Sequence, residues 1–214
     1  MHIPENLTIY PVLRSKRSFD IVCAGALLFV FSPFIILTLF ILKLEQILRG
    51  RPLDPLFYSE IRYSHGKPFR LYKFNIFKQD RIEELRREGS TVGTKVLERC
   101  GDVTYGGWVL KQIYMDEFPQ FWNVLRGDMS IVGPRPLNME SLEKGLSQGN
   151  VCKLQVPAGI TGHHQSRKNQ VGRGMELDRE YVVYYGNNPW YKVMLFDIYI
   201  LIRTVVFVLR AEGI

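Results

Sequence analysis

An apolar run over residues 21–42 constrains the fold of this 214-residue chain more than any other feature. At about 1.5 Å per residue, a helix over this run is long enough to cross a bilayer core of about 30 Å. The run is longer than the apolar core of a cleavable signal peptide, and no small-residue cleavage site follows it. A single membrane-spanning helix is therefore the simplest interpretation.

Ser32 and Pro33 interrupt this run near its middle. Pro33 cannot donate to the carbonyl of Phe29 and its ring pushes that carbonyl away, so the pattern predicts a sharp bend. The Ser32 hydroxyl is placed to bond a freed carbonyl. Both flanks are basic, with Arg14, Lys16 and Arg17 before the run and Lys43, Arg49 and Arg51 after it. Because equal flanks give no preferred orientation, a re-entrant hairpin with both ends on the cytoplasmic side is the alternative to a span.

Composition restricts the partners more than it restricts the fold. Hydrophobic residues at 46% and charged residues at 23% are ordinary for one folded domain. The net charge of +7 favours a polyanionic partner: anionic lipid, nucleotide phosphate or nucleic acid. Nucleic acid is the weakest of these, because no recognisable DNA- or RNA-binding motif is present. Cys23, Cys100 and Cys152 have no metal-ligand spacing, which favours reduced thiols in a cytosolic environment.

Two adjacent carboxylates, Asp116 and Glu117, precede a predicted helix that ends at Gly127. Pro119 suits the first turn of that helix, where its missing N–H has no intrahelical partner. The positive end of the helix dipole is expected to hold both carboxylates ionised. An isolated acidic pair at such a place is commonly no more than a complement to the dipole.

Arg135 lies between Pro134 and Pro136. Each residue before a proline is pushed towards extended geometry, so the pattern predicts a stiff, non-helical segment with the guanidinium pointing outward. An arginine between prolines is usually part of a surface turn. A carboxylate pair, a rigid arginine and a basic chain together nevertheless suit phosphate chemistry.

The ordered run over residues 116–136 resembles the signature of the bacterial sugar transferases, the monotopic polyprenyl-phosphate phosphoglycosyl transferases. A weaker resemblance extends from Lys16 to the C-terminus, and Lys16-Arg17-x-x-Asp20 with Ser32-Pro33 resembles the re-entrant membrane helix of that family. The resemblance implies an α+β, mostly helical fold. Residues 1–50 would form an N-terminal arm and a re-entrant (monotopic) membrane helix hairpin. Residues 51–214 would form a compact cytosolic catalytic domain with a small β-hairpin and interfacial amphipathic helices.

The resemblance also implies an activity: transfer of a sugar 1-phosphate from a UDP-sugar to undecaprenyl (polyprenyl) phosphate, with release of UMP. By the motif match, Asp116 is the nucleophile that forms a covalent aspartyl-phosphosugar intermediate, and Glu117 is a ligand of Mg²⁺. Carboxylates form reactive acyl phosphates, and Mg²⁺ prefers one or two carboxylates plus phosphate oxygens. The expected location is the cytoplasmic face of the bacterial inner membrane, in contact with membrane lipid but not nucleic acid. A homodimer is left open.

Further candidate substrate contacts are the basic, acidic and proline residues Arg62, Lys73, Arg126, Pro134, Arg135, Pro136, Arg173 and Asp178. The chain departs from the family pattern at three places. Glu60 stands where a glutamine is usual, Asn75 stands where an arginine is usual, and Ala158 is inserted in a Pro-Gly-Ile-Thr-Gly loop. These departures support a competing hypothesis, a non-catalytic membrane-surface scaffold that binds anionic lipid or nucleotide sugar.

The remaining patterns predict ordinary elements. They indicate a β-hairpin over 56–74, a charged helix within 80–100, a helix over 108–114, a polar helix over 138–150, and an aromatic helix that starts near Asp178, a potential cap. The adjacent His163 and His164 do not face one metal from a regular element. The apolar segment 193–209 contains Asp197 and Arg203, which favours a helix at the membrane surface over a second span.

Overall fold

The computed structural model describes residues 7–88, 97, 102–167 and 172–209. Its described elements are mostly helical with two small two-stranded sheets, which confirms the α+β class. The helices are α1 (Arg14–Val30), α2 (Ser32–Leu48), α3 (Gln79–Arg87), α4 (Tyr105–Gln112), α5 (Gln120–Arg126), α6 (Met139–Ser147), α7 (Gly174–Asn187) and α8 (Trp190–Leu209). The strands are β1 (Phe57–Ser64), β2 (Lys67–Phe74), β3 (Ser130–Val132) and β4 (Gly159–Thr161). Short 3-10 turns cover Met115–Glu117, Cys152–Gln155 and Gln165–Arg167.

The bend predicted at Pro33 is present. Helix α1 ends and α2 begins on either side of Phe31, and the two axes differ by 60°. The Ser32 hydroxyl donates to the Phe29 carbonyl at 2.7 Å, which satisfies a backbone group that the proline leaves without its usual donor. Among the described residues no single helix is long and apolar enough to cross a membrane, whereas the bent pair of α1 and α2 meets that test together.

The predicted hairpin is confirmed as β1 and β2. Its two-residue turn is His65-Gly66, and both residues have positive φ, 49° and 73°. This is the geometry that matches the twist of two antiparallel strands. His65 tolerates it because its ring Nε2–H donates to the Tyr10 carbonyl at 2.8 Å.

Packing divides the chain into two compact units. The first takes its described residues from Met1–Gly25, Ile61–Arg70 and Phe121–Ile214, and the second from Ala26–Glu60 and Leu71–Gln120. The predicted functional boundary near residue 50 is a different kind of division and stays a prediction.

The second unit has an apolar core built from α2, the base of the hairpin, α3 and α4. Its buried members are Leu42, Tyr58, Phe74, Ile76, Phe77, Ile82, Leu85, Leu97, Leu110 and Met115. Helix α4 begins earlier than predicted, because the Thr104 hydroxyl accepts from the Gly107 N–H at 3.1 Å and caps the helix. The Glu45 carboxylate of α2 accepts from the N–H groups of Tyr105 and Gly106 at 2.9 and 3.0 Å. The helix that leads to the acidic pair is therefore fixed at its start.

The first unit contains a pairing that the sequence did not predict. Strands β3 and β4 are parallel, with Ser130 opposite Gly159 and Val132 opposite Thr161. The backbones approach so closely that a Cβ on Gly133 would lie 2.3 Å from the Pro157 carbonyl oxygen, so a glycine is required there. This pairing fixes the segment immediately before Arg135.

The first turns of α1 hold β3 and the end of α5. The Asp20 carboxylate accepts from the Ser130 hydroxyl and the Ile131 N–H, both at 3.0 Å. The Lys16 ammonium donates to the Val132 carbonyl at 2.9 Å. The Arg17 guanidinium donates to the carbonyls of Val124 and Leu125, at the end of α5, at 2.5 and 2.6 Å. These contacts give Lys16, Arg17 and Asp20 a structural role in the first unit.

Three predicted helical features meet different outcomes. Helix α7 begins at Gly174, so Asp178 lies inside the helix and its interpretation as a cap is wrong. The predicted charged helix is present as α3, while residues 89–96 and 98–100 of that prediction lie outside the described residues. The polar helix is confirmed as α6, where the Asn138 side chain accepts from the Ser141 N–H at 2.9 Å.

Candidate active site

The acidic pair lies in the 3-10 turn Met115–Glu117, which follows α4 in the chain. Tyr114 turns the backbone there with a positive φ of 56°. Met115 is part of the buried core of the second unit, and Phe118 packs on Phe31 with ring centroids 5.1 Å apart. The two carboxylates are thus held between two apolar anchors. The predicted helix is confirmed as α5, but it begins at Gln120, so the pair is not in its first turn.

Lys73, on β2, contacts both carboxylates. Its Nζ lies 2.9 Å from Glu117 Oε1 and 3.9 Å from Asp116 Oδ2. The side chains of Lys73 and Asp116 are each 6% exposed and that of Glu117 is 23% exposed. Buried charges require such partners, and the ammonium group offsets part of the repulsion between adjacent carboxylates. We call Lys73, Asp116 and Glu117 the open cluster, because Glu117 still reaches solvent.

Arg135 occupies the position that its neighbours predict. Pro134 and Pro136 are buried, Arg135 between them is exposed, and the segment is not helical. It belongs to the first unit and follows β3, whose backbone is held by Lys16 and Asp20. A guanidinium on a fixed backbone is pre-organised to bind an anion.

Other predicted basic contacts differ in their surroundings. Arg62, on β1, is buried at 7% exposure. Arg126 is exposed, with Nε 3.4 Å from Asp128 Oδ2. Arg173 is exposed and pairs with Glu176 at 2.7 Å and Glu180 at 3.5 Å. Its hydrogen bond and its charge lower the pKa of Glu176.

Asp178 is almost completely buried in α7, at 1% exposure. Lys153 Nζ lies 2.5 Å from its Oδ2, so the two side chains form an ion pair inside the first unit. The substrate-contact roles assigned to these residues remain predictions.

The departures from the family pattern have structural explanations at two of the three places. The Asn75 amide donates to the Pro55 carbonyl at 2.8 Å, and the Asn75 N–H donates to the Leu56 carbonyl, also at 2.8 Å. Ala158 is buried, and its N–H donates to the Ser64 hydroxyl at 3.0 Å. Glu60 lies on β1 and is half-buried. Because Asn75 and Ala158 hold the fold, they are weak support for a non-catalytic scaffold.

A second group of buried charged and polar residues was not recognised as a unit from the sequence. Lys16 Nζ lies 2.5 Å from Asp197 Oδ2, and the Tyr181 hydroxyl donates to Asp197 Oδ1 at 2.8 Å. Burial raises the pKa of Asp197 despite the opposing charge of Lys16, and burial beside Asp197 raises the pKa of Tyr181 well above its usual range. We call Lys16, Tyr181 and Asp197 the sealed cluster. A single aspartate in the apolar segment 193–209 was its one signal in the sequence.

Comparison with known proteins identifies the family. The sequence model of the family described as bacterial sugar transferase matches residues 12–211. The chain belongs to the bacterial sugar transferase family, and it is an enzyme of the transferase class.

Three relatives show how far the similarity extends. The chain is 35% identical to the uncharacterized sugar transferase EpsL of Bacillus subtilis, over 93% of this chain and 89% of the relative. It is 33% identical to the exopolysaccharide production protein ExoY of Rhizobium meliloti, over 78% of this chain and 76% of the relative. It is 32% identical to the undecaprenyl-phosphate galactose phosphotransferase of Salmonella typhimurium, over 100% of this chain but 44% of that longer protein.

Proposed function

We propose that this protein transfers a sugar 1-phosphate from a UDP-sugar to undecaprenyl phosphate, releases UMP, and so starts the synthesis of a surface polysaccharide or glycoconjugate. Membership of the bacterial sugar transferase family supports the reaction class. The relative in Salmonella typhimurium, named an undecaprenyl-phosphate galactose phosphotransferase, supports the acceptor. The observation that carries the proposal is the open cluster, in which Lys73 contacts two adjacent carboxylates, one of which reaches solvent.

In the proposed first step, a carboxylate oxygen of Asp116 attacks the β-phosphorus of the UDP-sugar. The bond from that phosphorus to the bridging oxygen breaks, and UMP leaves with the bonding electron pair. In the second step, a phosphate oxygen of the polyprenyl phosphate attacks the same phosphorus and displaces Asp116. The acyl phosphate between the steps is reactive enough to turn over. The products are UMP and a polyprenyl diphosphate sugar.

The diphosphate of the donor carries charge that must be offset during transfer. Lys73 is placed to contribute next to Asp116, and we propose the exposed Arg135 as a further phosphate contact. We also propose that Glu117 holds Mg²⁺. The described residues contain no group of three or more metal-ligating side chains, which fits an ion that binds through one or two carboxylates, water and substrate phosphates. When bound, Mg²⁺ would supply positive charge to the diphosphate.

We further propose that α1 and α2 form a re-entrant hairpin in the cytoplasmic membrane, with the catalytic residues on the cytoplasmic face. The 60° bend and the Ser32 hydrogen bond support this arrangement. Cysteines placed at Val12 and Leu53, before and after the helix pair, should both react with reagent on the cytoplasmic side. Replacing both Ser32 and Pro33 with leucine should straighten the pair. If Val12→Cys in a protein that keeps Ser32 and Pro33 reacts with reagent on the periplasmic side, the hairpin is refuted.

The reaction is tested by UMP release from detergent-held protein given Mg²⁺, undecaprenyl phosphate and a panel of UDP-sugars. Asp116→Asn should abolish release while leaving the thermal midpoint of unfolding unchanged within a few degrees. Asp80→Asn is the matched control, because Asp80 is an exposed carboxylate on α3 that pairs with Arg51. Undiminished release from Asp116→Asn would exclude Asp116 as the nucleophile. No release from folded wild-type protein across a broad panel would count against the activity.

A further inference from the structure

Four buried polar atoms without a hydrogen-bond partner lie on residues 163–167 of the first unit, and one more lies on α8. Among the described residues, Nδ1 of His163, both side-chain amide atoms of Gln165, and Nε of Arg167 and Arg203 are buried and make no hydrogen bond. His163 itself is only 4% exposed. Native proteins pair the great majority of such atoms, because leaving one unpaired costs about 1–3 kcal/mol. A polar ligand bound at this segment would give these atoms partners.

The charge of this site favours an anion. Arg203 Nη1 lies 3.2 Å from the Tyr199 hydroxyl, and hydrogen bonds from Arg203 and then Arg167 lower the pKa of Tyr199. Two guanidinium groups therefore converge on one phenol oxygen. Within the described ranges no carboxylate forms an ion pair with either of them. The nearby Glu180 is engaged instead by His163, at 3.3 Å, and by Arg173.

The surface beside the two arginines is apolar. Helix α8 exposes a stripe of aliphatic side chains at helical spacing: Leu195, Ile198, Ile202, Val205, Val206 and Val208. Tyr199 and Arg203 lie on the same helix at the border of this stripe. Trp190 and Tyr191, at the start of α8, are also exposed, and such rings favour the headgroup level of a bilayer. An apolar face bordered by paired guanidinium groups matches a lipid with a charged headgroup.

We propose that Arg167 and Arg203, with Gln165, form a binding site for the phosphate group of a membrane lipid. Guanidinium groups donate to phosphate oxygens, and the Nε–H of each arginine can supply one such donor. The Gln165 amide adds a further donor. The site extends the proposed function, because the acceptor in that reaction is itself a lipid phosphate. Binding involves no bond breaking and can be measured without turnover.

The test measures lipid retention by the full-length protein in neutral detergent, followed by native mass spectrometry. The probes are undecaprenyl phosphate, phosphatidylglycerol, phosphatidylcholine and inorganic phosphate. Arg167→Gln and Arg203→Gln should each weaken retention of anionic lipid by roughly ten- to a hundredfold, the usual range for a charge-assisted contact. Arg203→Lys keeps the charge but loses the planar fork, so it should fall between wild type and Arg203→Gln. Arg179→Gln, an exposed position on α7, is the matched control and should retain lipid like wild type.

The lipids distinguish the source of the phosphate. If the arginine variants lose retention of undecaprenyl phosphate alone, the site binds the acceptor. If they lose retention of phosphatidylglycerol equally, the site binds phospholipid. Both results support the proposal. Unchanged retention in folded Arg167→Gln and Arg203→Gln, or an equal loss in Arg179→Gln, would overturn it. The proposal would also be overturned if inorganic phosphate occupied the site as well as the anionic lipids do. Because UMP release is assayed separately, failure of the proposed reaction would leave the retention result intact.

Discussion

The sealed cluster and the open cluster are built from the same kinds of group and differ in what surrounds them. In the sealed cluster the side chains of Lys16 and Asp197 are 2% and 1% exposed, and the lysine also donates to the Val132 carbonyl. In the open cluster, Glu117 keeps 23% of its side chain exposed. A saturated, water-free ion pair fixes structure, whereas a pair that solvent can reach is accessible to a substrate.

The sealed cluster also has a bearing on the proposed site. Lys16 and Asp20 of α1 hold the backbone of β3, and Arg135 follows that strand closely in the chain. The same helix is the first half of the bent pair proposed to enter the membrane. Lys16 and Asp20 thus fix the backbone that precedes Arg135 to helix α1.

Removing one charge from the sealed cluster should have the largest effect on stability. Asp197→Ala leaves the Lys16 ammonium group buried without its carboxylate, which costs about 3–5 kcal/mol of unfolding free energy. Thermal unfolding in detergent measures this loss of stability, and we expect the midpoint of unfolding to decrease by about 10 °C. Asp116→Ala, in the open cluster, should decrease the midpoint much less.

The matched control for this prediction removes both charges at once. Lys16→Met combined with Asp197→Leu should be less destabilising than Asp197→Ala, because replacing a buried ion pair by apolar groups is often nearly neutral. A double variant as unstable as the sum of its two single variants would show that the pair is not a unit.

Removing the cation of the open cluster should affect turnover more than stability. Lys73→Met takes away the positive charge next to Asp116 and Glu117, and we expect UMP release to fall by about 10²–10³-fold. Lys73→Arg restores the charge and should recover part of the rate. A midpoint decrease as large as that of Asp197→Ala, with little change in rate, would show that this cluster is structural too.

A smaller effect is expected where a neutral group can replace a charge. Asp20→Asn keeps the size of the side chain but weakens the contacts with Ser130 and the Ile131 N–H, at a cost of about 1–3 kcal/mol. If the Arg135 segment depends on these contacts, the KM for the UDP-sugar should increase while kcat changes little. Ser130→Ala removes one of the two contacts and should give a smaller increase. Equal kinetics in wild type and Asp20→Asn would remove the positioning role.

The smallest effect concerns pH. Burial and then the charge of Arg167 lower the pKa of His163, against the opposing influence of Glu180 and Asp178. The folded protein therefore takes up this proton less readily than the unfolded chain, so stability decreases as the pH falls below about 6.5. His163→Gln should reduce the loss of thermal midpoint between pH 7.5 and 5.5 by the equivalent of less than about 1.4 kcal/mol. The same loss in variant and wild type would contradict this.

The sequence by itself determined the elements whose causes are local. Pro33 cannot donate a hydrogen bond, so the helix breaks there, and Ser32 bonds the Phe29 carbonyl as expected. His65-Gly66 forms the hairpin turn, and Gly127 ends α5 with a positive φ of 88°. The long ordered match over residues 116–136 was enough to indicate the family. The helix break, the hairpin turn and the helix end follow from backbone chemistry within a few residues.

The tertiary structure alone decided which charges meet. Lys73 and Glu117 are separated by 44 positions in the chain, and Lys16 and Asp197 by 181. No periodicity or spacing relates residues that far apart, because their contact depends on the packing of every element between them. Asp178 shows the same limit: its place in the sequence suggested a helix cap, but packing buried it against Lys153. Local chemistry determined the helices, strands and turns, and the packing of their buried faces determined which charged side chains contact each other.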